Sequence, residues 1–395
     1  MNLSEEQKKI IEHKGSPMRV LAGPGTGKTF CIIEKAKKLI NKDRISYKNI
    51  CIITLTNSAR NEIRKRLEES GIESNELPYV NTLHGLGMGI LIKNISCAGL
   101  KIGFRPISNL IQKIIVKDVS EDLKCKKIIL SFKERKKYLN VIMQIKSLAG
   151  VPYHIQKSIN QKKCLKEFQR SYSDNLEFYN CIDFPEEISR AIELINSNFE
   201  IKSKIHERTK NLLVDEFQDL SPLEQKFVYQ ICGDSSRLSI FGDDDQSIYE
   251  SFRFASPDGI INFKSIYPNT IDFPISICRR CSQKIIEKAM LCIKNNEKRI
   301  IKNDLIPFNK TKSGFFIIFQ KRSKKEEIEW ISNKILELIR NGFQYKDLLI
   351  LFPDGKIAKD YIEKMEDVKI PLKIQLKIDH TFETECCTQL LATLR

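Results

Sequence analysis

No run of apolar residues in this 395-residue chain reaches the roughly 20 needed to cross a bilayer. The first residues, MNLSEEQKK, lack the apolar core of a secretory leader. Neither a membrane span nor export is therefore expected. Zinc-type metal chemistry would need two correctly spaced cysteine pairs, and a second pair is lacking. Of twelve cysteines, Cys278 and Cys281 make one C-x-x-C, while Cys386 and Cys387 are merely adjacent. The others, such as Cys31, Cys51, Cys232 and Cys292, lie mostly inside apolar runs. Buried reduced thiols of a cytoplasmic protein are placed that way. Acids are outnumbered: 66 Lys and Arg against 50 Asp and Glu leave a net charge of +16. Such an excess points to a polyanionic partner, most simply nucleic acid, although Lys-rich codon bias in an AT-rich genome gives a similar balance. With 41% hydrophobic and 29% charged residues, the composition is that of a globular chain of two or three domains.

Against these absences stands one dense signal, the stretch AGPGTGKT formed by Ala22, Gly23, Pro24, Gly25, Thr26, Gly27, Lys28 and Thr29. An apolar strand-like run precedes it and a helical pattern follows. Strand, glycine-rich turn and GKT at a helix start make a phosphate cradle. The glycines let consecutive N–H groups point inward, and the helix N-terminus adds partial positive charge. Lys28 is expected to reach the β- and γ-phosphates of a nucleoside triphosphate, and the Thr29 hydroxyl to hold Mg²⁺. Ala22 stands where the pattern has Gly, which is tolerable if that position needs no left-handed backbone.

A second signal is NLLVDEFQDL, at residues 211–220. An apolar strand ends directly in two acids. Asp215 is placed to hold the metal through a water, and Glu216 to accept a proton from attacking water. Ser4 and Gln7 read as a helix cap, yet the Gln7 amide could equally pair with the edge of adenine. NICIITLT, at residues 49–56, reads as a buried parallel strand. It delivers Thr56, Asn57 and the basic helix of Arg60, Arg64, Lys65 and Arg66 to the sheet edge where phosphates bind. His84 in NTLHGLGMG is a weak signal by itself. LSIFGDDDQ repeats the strand-then-polar logic, so Gln246 could sense a γ-phosphate. Tyr249, Phe252 and Arg253 follow; they suit single-stranded bases or simply pack a loop. Between residues 95 and 190 the strand-like runs vanish and Lys-rich helical patterns take over. Beyond residue 312 an αβ pattern resumes: strands GFFIIFQ and DLLILF, a helix capped by Ser323 and Glu326, and a helix near residues 357–365.

LSEEQ, AGPGTGKT, TLTNSARNEIRKR, TLHGLG, IDFPEEI, LLVDEFQD, FGDDDQSIY and ICRRCS, in this order, resemble the UvrD/Rep-type DNA helicases of superfamily I. The resemblance implies an α/β fold: two RecA-like P-loop domains, each with a parallel sheet, ATP in the cleft between them, and an inserted helical subdomain. On this chain the expected division is residues 1–94 and 191–276 for the first domain, 95–190 for the insertion, and 277–395 for an incomplete second domain. The resemblance further implies ATP and Mg²⁺ as cofactors and 3′→5′ movement on single-stranded DNA, or on a duplex with a single-stranded tail. By position, Gln7 pairs with adenine, Arg279 stands where a Tyr stacks on it, and Arg280 is an arginine finger. Gln246 couples the γ-phosphate to DNA, and Thr56, Asn57, His84, Tyr249 and Phe252 fall on the DNA track.

Departures accompany the match. Leu55 replaces a base-stacking Phe, and Phe254 replaces a usual Gly. The last two family motifs, with a second arginine finger, are not in the sequence. A truncated or split enzyme is expected, or one completed by a second polypeptide. The alternative is an ATP-gated single-strand-binding module with little turnover, because one arginine finger is worth about 10³–10⁵ in rate.

Overall fold

Apolar runs buried on both faces give the molecule its centre. In a computed structural model, residues 3–150, 163–233, 237–309, 314, 316–352 and 355–374 are described, except for the side chains of residues 109, 251, 252 and 356. The strands are β1 (Met18–Ala22), β2 (Ile50–Thr54), β3 (Tyr79–Thr82), β4 (Arg105–Pro106), β5 (Cys181–Ile182), β6 (Asn211–Val214), β7 (Arg237–Gly242), β8 (Ile271–Ile275), β9 (Ile277–Cys278) and β10 (Ile306–Pro307). Six of them form one parallel sheet in the order β3-β2-β6-β7-β1-β8. Parallel pairing requires crossover connections, and helices supply them on both faces.

Side-chain alternation divides the sheet's contacts. Met18, Val20, Ala22, Ile50, Ile52 and Leu213 pack with helices α1 (Glu5–Glu12), α2 (Lys28–Asn41) and α3 (Asn57–Glu69). Leu21, Cys51, Ile53, Leu212 and Val214 point the other way, onto α4 (Leu83–Lys93) and onto residues 188–205 and 223–231. Among the buried polar residues in these strands, Arg19 carries a charge. Arg19 of β1 is buried, grips Asp272 of β8 through two 2.9 Å bonds and donates to the carbonyls of Ile260 and Ile261. It ties the edge strand β8 to its neighbour β1.

Between residues 95 and 190 the described chain is mainly helical. Helices Asn109–Cys125, Phe132–Lys146 and Lys163–Phe178 enclose their own core around Phe168 and Tyr172. The β4–β5 pair closes its base.

By contacts the chain separates into two units, Met1–Gly314 and Phe315–Arg395. The second contains the expected helices, at Lys324–Arg340 and Gly355–Asp367, with the Ser323 hydroxyl capping the first. The expected strands are not found there. Residues 316–320 and 348–352 are extended but make no ladder, and Ile318, Leu349 and Leu351 are about four-fifths exposed (81%, 77% and 81%). Leu348 and Ile350 do pack on the helices of this unit, but strand formation also depends on a partner along one edge, and among the described residues neither segment has one.

Candidate nucleotide site and its flanks

At the carboxyl ends of β1, β6 and β7 the chain places its polar motifs side by side, where ligands of open parallel sheets bind. The phosphate loop curls as its composition demands. Gly25 and Gly27 are left-handed, with φ of 71° and 94°, and Gly27 caps α2. Ala22 is the buried last residue of β1 and needs no such conformation. Gly23 is not left-handed either; a side chain there would meet Leu305 at 2.8 Å. The Thr26 hydroxyl donates to Gly23 O at 2.8 Å and closes the turn. Pro24 O faces the Cys278 thiol at 3.2 Å, and Arg279 N donates to Gly25 O at 2.9 Å. Arg279 and Arg280 thus stand beside the loop, with the Arg279 guanidinium 4.5 Å from the centre of the Phe308 ring.

Lys28 and Glu216 meet across the site. Lys28 Nζ is 3.0 Å from Glu216 Oε2, yet it makes no hydrogen bond and is buried. A buried ammonium with its donors unspent is costly unless a ligand uses them, and phosphate oxygens are suited to that. Asp215 lies next to it, 4% exposed, with its carboxylate accepting from Glu216 N at 3.0 Å and within hydrogen-bonding reach of Thr29. Burial first, and then the Glu216 charge, push its pKa well above the usual carboxylate range despite the opposing pull of Lys28. An acid so short of positive charge, beside a hydroxyl, is a donor set for a hard divalent cation. Glu216 itself has φ 50°, a left-handed conformation that non-glycine residues rarely adopt.

Gln7 takes up the first of its two readings, the helix cap, and also reaches the phosphate loop. It completes the capping box with Ser4, and its Nε2 donates to Thr26 O at 3.1 Å, fastening α1 to the phosphate loop.

Several side chains that sequence reading passed over complete the site. Gln218, 1% exposed, donates from Nε2 to Glu216 and to Asp219, at 3.0 and 3.1 Å, while its Oε1 accepts from Asp243 N at 3.0 Å. It bridges the ends of β6 and β7, and only Gly242 leaves room for it. Burial, then the Glu216 charge, push Asp219 up to about 6. Asp243 in turn holds the Gln246 amide and pairs with Lys302. Lys302 also contacts Asp244 at 2.6 Å and Asp245 at 2.8 Å, so one ammonium sits against three successive carboxylates. Arg299 and Asn296 bond Asp245 at 2.8 and 3.0 Å, and Ile300 N donates to Asp244 at 2.7 Å. The acids of GDDDQ were legible in sequence; their counter-ion, some 60 residues on, was not. Lys302→Met would leave Asp243 and Asp244 without their cation and Asp245 with Arg299 alone. It should cost roughly 3–5 kcal/mol in urea unfolding at neutral pH. Lys302 and Arg299 hold Asp245 below its usual range against burial, so this cost should shrink as pH falls below about 4.

His84 lies in a buried ion cluster. Nδ1 is 3.0 Å from Glu187 and Nε2 3.2 Å from Glu224, while Arg253 is 3.6 Å from Glu224. Burial alone would lower its pKa, but the two carboxylates more than reverse that and push it up to about 9. A raised folded-state pKa stabilises most fully below the unfolded value and is lost as pH climbs past the folded one. The stability gap between wild type and His84→Gln should therefore be level below about pH 6.5 and narrow by about 3 kcal/mol by pH 9 in melts run across that range. Thr56 caps α3 through its hydroxyl, and Asn57 is exposed at its first turn. Tyr249 is 39% exposed on the short helix Glu250–Arg253; the Phe252 side chain lies outside the described residues, as do Cys386 and Cys387. Leu55 packs partly buried on the core. Phe254 has φ 57°, so the substitution for Gly puts an aromatic residue in a conformation that glycine adopts freely.

Two family models match this chain: the UvrD/REP helicase N-terminal domain over residues 3–268, and the UvrD-like helicase C-terminal domain over residues 278–395. The chain belongs to the UvrD/Rep helicase family. A probable DNA helicase II homolog of Mycoplasma capricolum is 30% identical over 379 residues, covering 94% of this chain and 52% of that protein. The ATP-dependent DNA helicase Rep of Buchnera aphidicola from Acyrthosiphon pisum is 30% identical over 387 residues, 95% of this chain and 58% of Rep. The ATP-dependent DNA helicase PcrA of Staphylococcus aureus is 26% identical over 355 residues, 89% and 48% of the two chains. The chain thus spans about half the length of the curated relatives it matches. Within this UvrD-family sheet, the phosphate loop and the DEFQD acids are the two parts that meet. No helix among the described residues is long and apolar enough to cross a membrane.

Proposed function

We propose that the chain binds Mg²⁺·ATP at the AGPGTGKT loop, hydrolyses it, and uses the cycle to move 3′→5′ on single-stranded DNA or on the tail of a duplex. The observation that carries this is the Lys28 ammonium, buried and 3.0 Å from Glu216 but without a hydrogen bond. In the proposal Lys28 donates to the β- and γ-phosphate oxygens, and the loop N–H groups hold the rest of the chain of phosphates. Thr29 and Asp215 would hold Mg²⁺, which supplies charge neutralisation on the phosphates. Glu216 takes the proton from the water that attacks the γ-phosphate, and Gln218 keeps its carboxylate aimed. Gln246, held by Asp243, reports the γ-phosphate to the DNA side. Arg280, beside Gly25, stabilises the charge of the transition state. Gln7 has one N–H and one lone pair left for adenine, and Arg279, beside the loop, would take the place of the stacking residue.

Thr56, Asn57, Tyr249 and Phe252 would line the strand's path, with His84 anchoring α4 beneath it. The division into residues 1–94 with 191–276, an inserted 95–190, and a second domain from 277 belongs to the same proposal. So does a cytoplasmic setting, supported by ten free described cysteines, of which Cys31 and Cys51 are pushed up to about 12 by burial. The test is the ATP turnover rate of the intact chain with and without oligo-dT. Strong stimulation is expected. Tight ATP-dependent strand binding with turnover no higher than that of Glu216→Gln would instead mean a gated binding module.

A further inference from the structure

The edge of the main sheet carries a second feature that the nucleotide site does not use. Among the described residues, strand β3 is the last of its sheet and pairs only with β2. Along its outer side runs an open cleft of about 980 Å³, walled by α3, by the segment leading into β2 and by the end of the helix Phe199–Arg208. Among the described residues five cations line it, Lys48, Arg60, Arg64, Lys204 (paired with Glu200 at 2.5 Å) and Arg208, against one lining carboxylate, Glu207. That carboxylate is already neutralised by Lys210 at 2.8 Å and bonded by Asn49 at 3.0 Å.

Two tyrosines alternate with the cations. The Arg208 guanidinium lies 5.0 Å from the centre of the Tyr79 ring, and Lys48 Nζ 5.8 Å from that of Tyr47. The Tyr79 hydroxyl accepts from Asn81 at 3.0 Å, which fixes the ring on the strand. The α3 basic cluster divides here. Lys65 and Arg66 are paired along the helix, with Glu69 at 3.6 Å and Glu62 at 2.5 Å, whereas Arg60 and Arg64 line the cleft. Arg60 is also one turn from Thr56 and Asn57, so the cleft opens from the edge of the sheet where the strand's path is proposed.

We propose that this cleft is an accessory single-strand nucleic-acid subsite. Phosphates run past Arg60, Arg64 and Arg208 and a base stacks on Tyr47, while Tyr79, partly buried against the core, props Arg208 in the cleft; this continues the strand beyond Asn57. Four residues of β3 span about 13 Å, enough for about four phosphates at the ~3.4 Å spacing of a stacked strand. Cations interleaved with aromatic faces form the kind of surface that holds bases without reading sequence. The subsite rests on the nucleic-acid reading of the main site.

The experiment measures anisotropy of labelled oligo-dT, about 8 and about 20 nucleotides long, on the full chain across a salt series. The variants are Arg64→Gln/Arg208→Gln and, as a charge-matched control, Lys65→Gln/Arg66→Gln. The four side chains lie on exposed surface, so folding is unaffected. The cleft variant should bind the long oligonucleotide about tenfold more weakly, with a salt slope lower by about 1.4, or 0.7 for each lost phosphate. The short oligonucleotide and the control should behave as wild type. Equal losses in the control, equal losses on both lengths, or no loss on the long one would each overturn the subsite while leaving the main reading intact. A cleft variant altered in heparin binding but not in oligo-dT binding would assign the cleft to another polyanion and overturn it too. Failure of wild type to bind either length would overturn both.

Discussion

Glu216→Gln should lower the rate of ATP turnover by about 10²–10⁴-fold while the protein still binds nucleotide, because it removes a proton acceptor and little else. Glutamine keeps the shape and one acceptor oxygen, so the bond from Gln218 Nε2 survives. Its loss of charge has a second effect. Lys28 now shares a salt bridge with this carboxylate, and a neutral partner frees the ammonium for phosphate. Nucleotide affinity should therefore hold or rise as kcat collapses, a pattern read by steady-state kinetics beside titration of a fluorescent ATP analogue. A parallel loss of affinity and turnover would mean that Glu216 has a structural role and is not the base.

Lys28→Ala should do the reverse and weaken ATP binding by about 10²-fold, since a charged hydrogen bond to phosphate contributes about 1.5–3 kcal/mol. Turnover should fall to background as well. The change also leaves Asp215, Glu216 and Asp219 crowded without their nearest cation, which already opposes the upward pKa shifts of both aspartates. Calorimetric titration with Mg²⁺·ATP distinguishes this from Glu216→Gln, which should still give a binding isotherm.

The chemistry was legible where it is local in sequence. AGPGTGKT sets its own backbone through Gly25 and Gly27, and DEFQD follows a strand that had to be buried, so each places its polar atoms without help from distant residues. Gln7 was legible as a cap for the same reason. What stayed hidden depends on long-range pairing. Lys302 sits among many lysines in the sequence and becomes distinct only when β9 pairs with β10 and brings it to Asp243, Asp244 and Asp245. His84 depends on Glu187 and Glu224, more than 100 residues away, and no local pattern announces a histidine held cationic by two buried acids. Arg19 lies inside a run that reads simply as apolar, and its role is visible only once Asp272 of β8 lies beside it. GFFIIFQ and DLLILF err in the opposite direction, because a strand-like composition is a condition for pairing and does not supply the partner.

Manganese offers the most direct test, because two acidic groups compete on paper for a divalent cation. Asp215 with Thr29 faces the phosphate loop, whereas Asp243, Asp244 and Asp245 cluster closely enough to chelate but are filled by Lys302. Crystals grown with Mn²⁺ and a non-hydrolysable ATP analogue should show one anomalous peak beside Thr29 and Asp215, with the γ-phosphate against Lys28. A peak among the three aspartates instead, or a nucleotide bound away from the glycine-rich turn, would contradict the account.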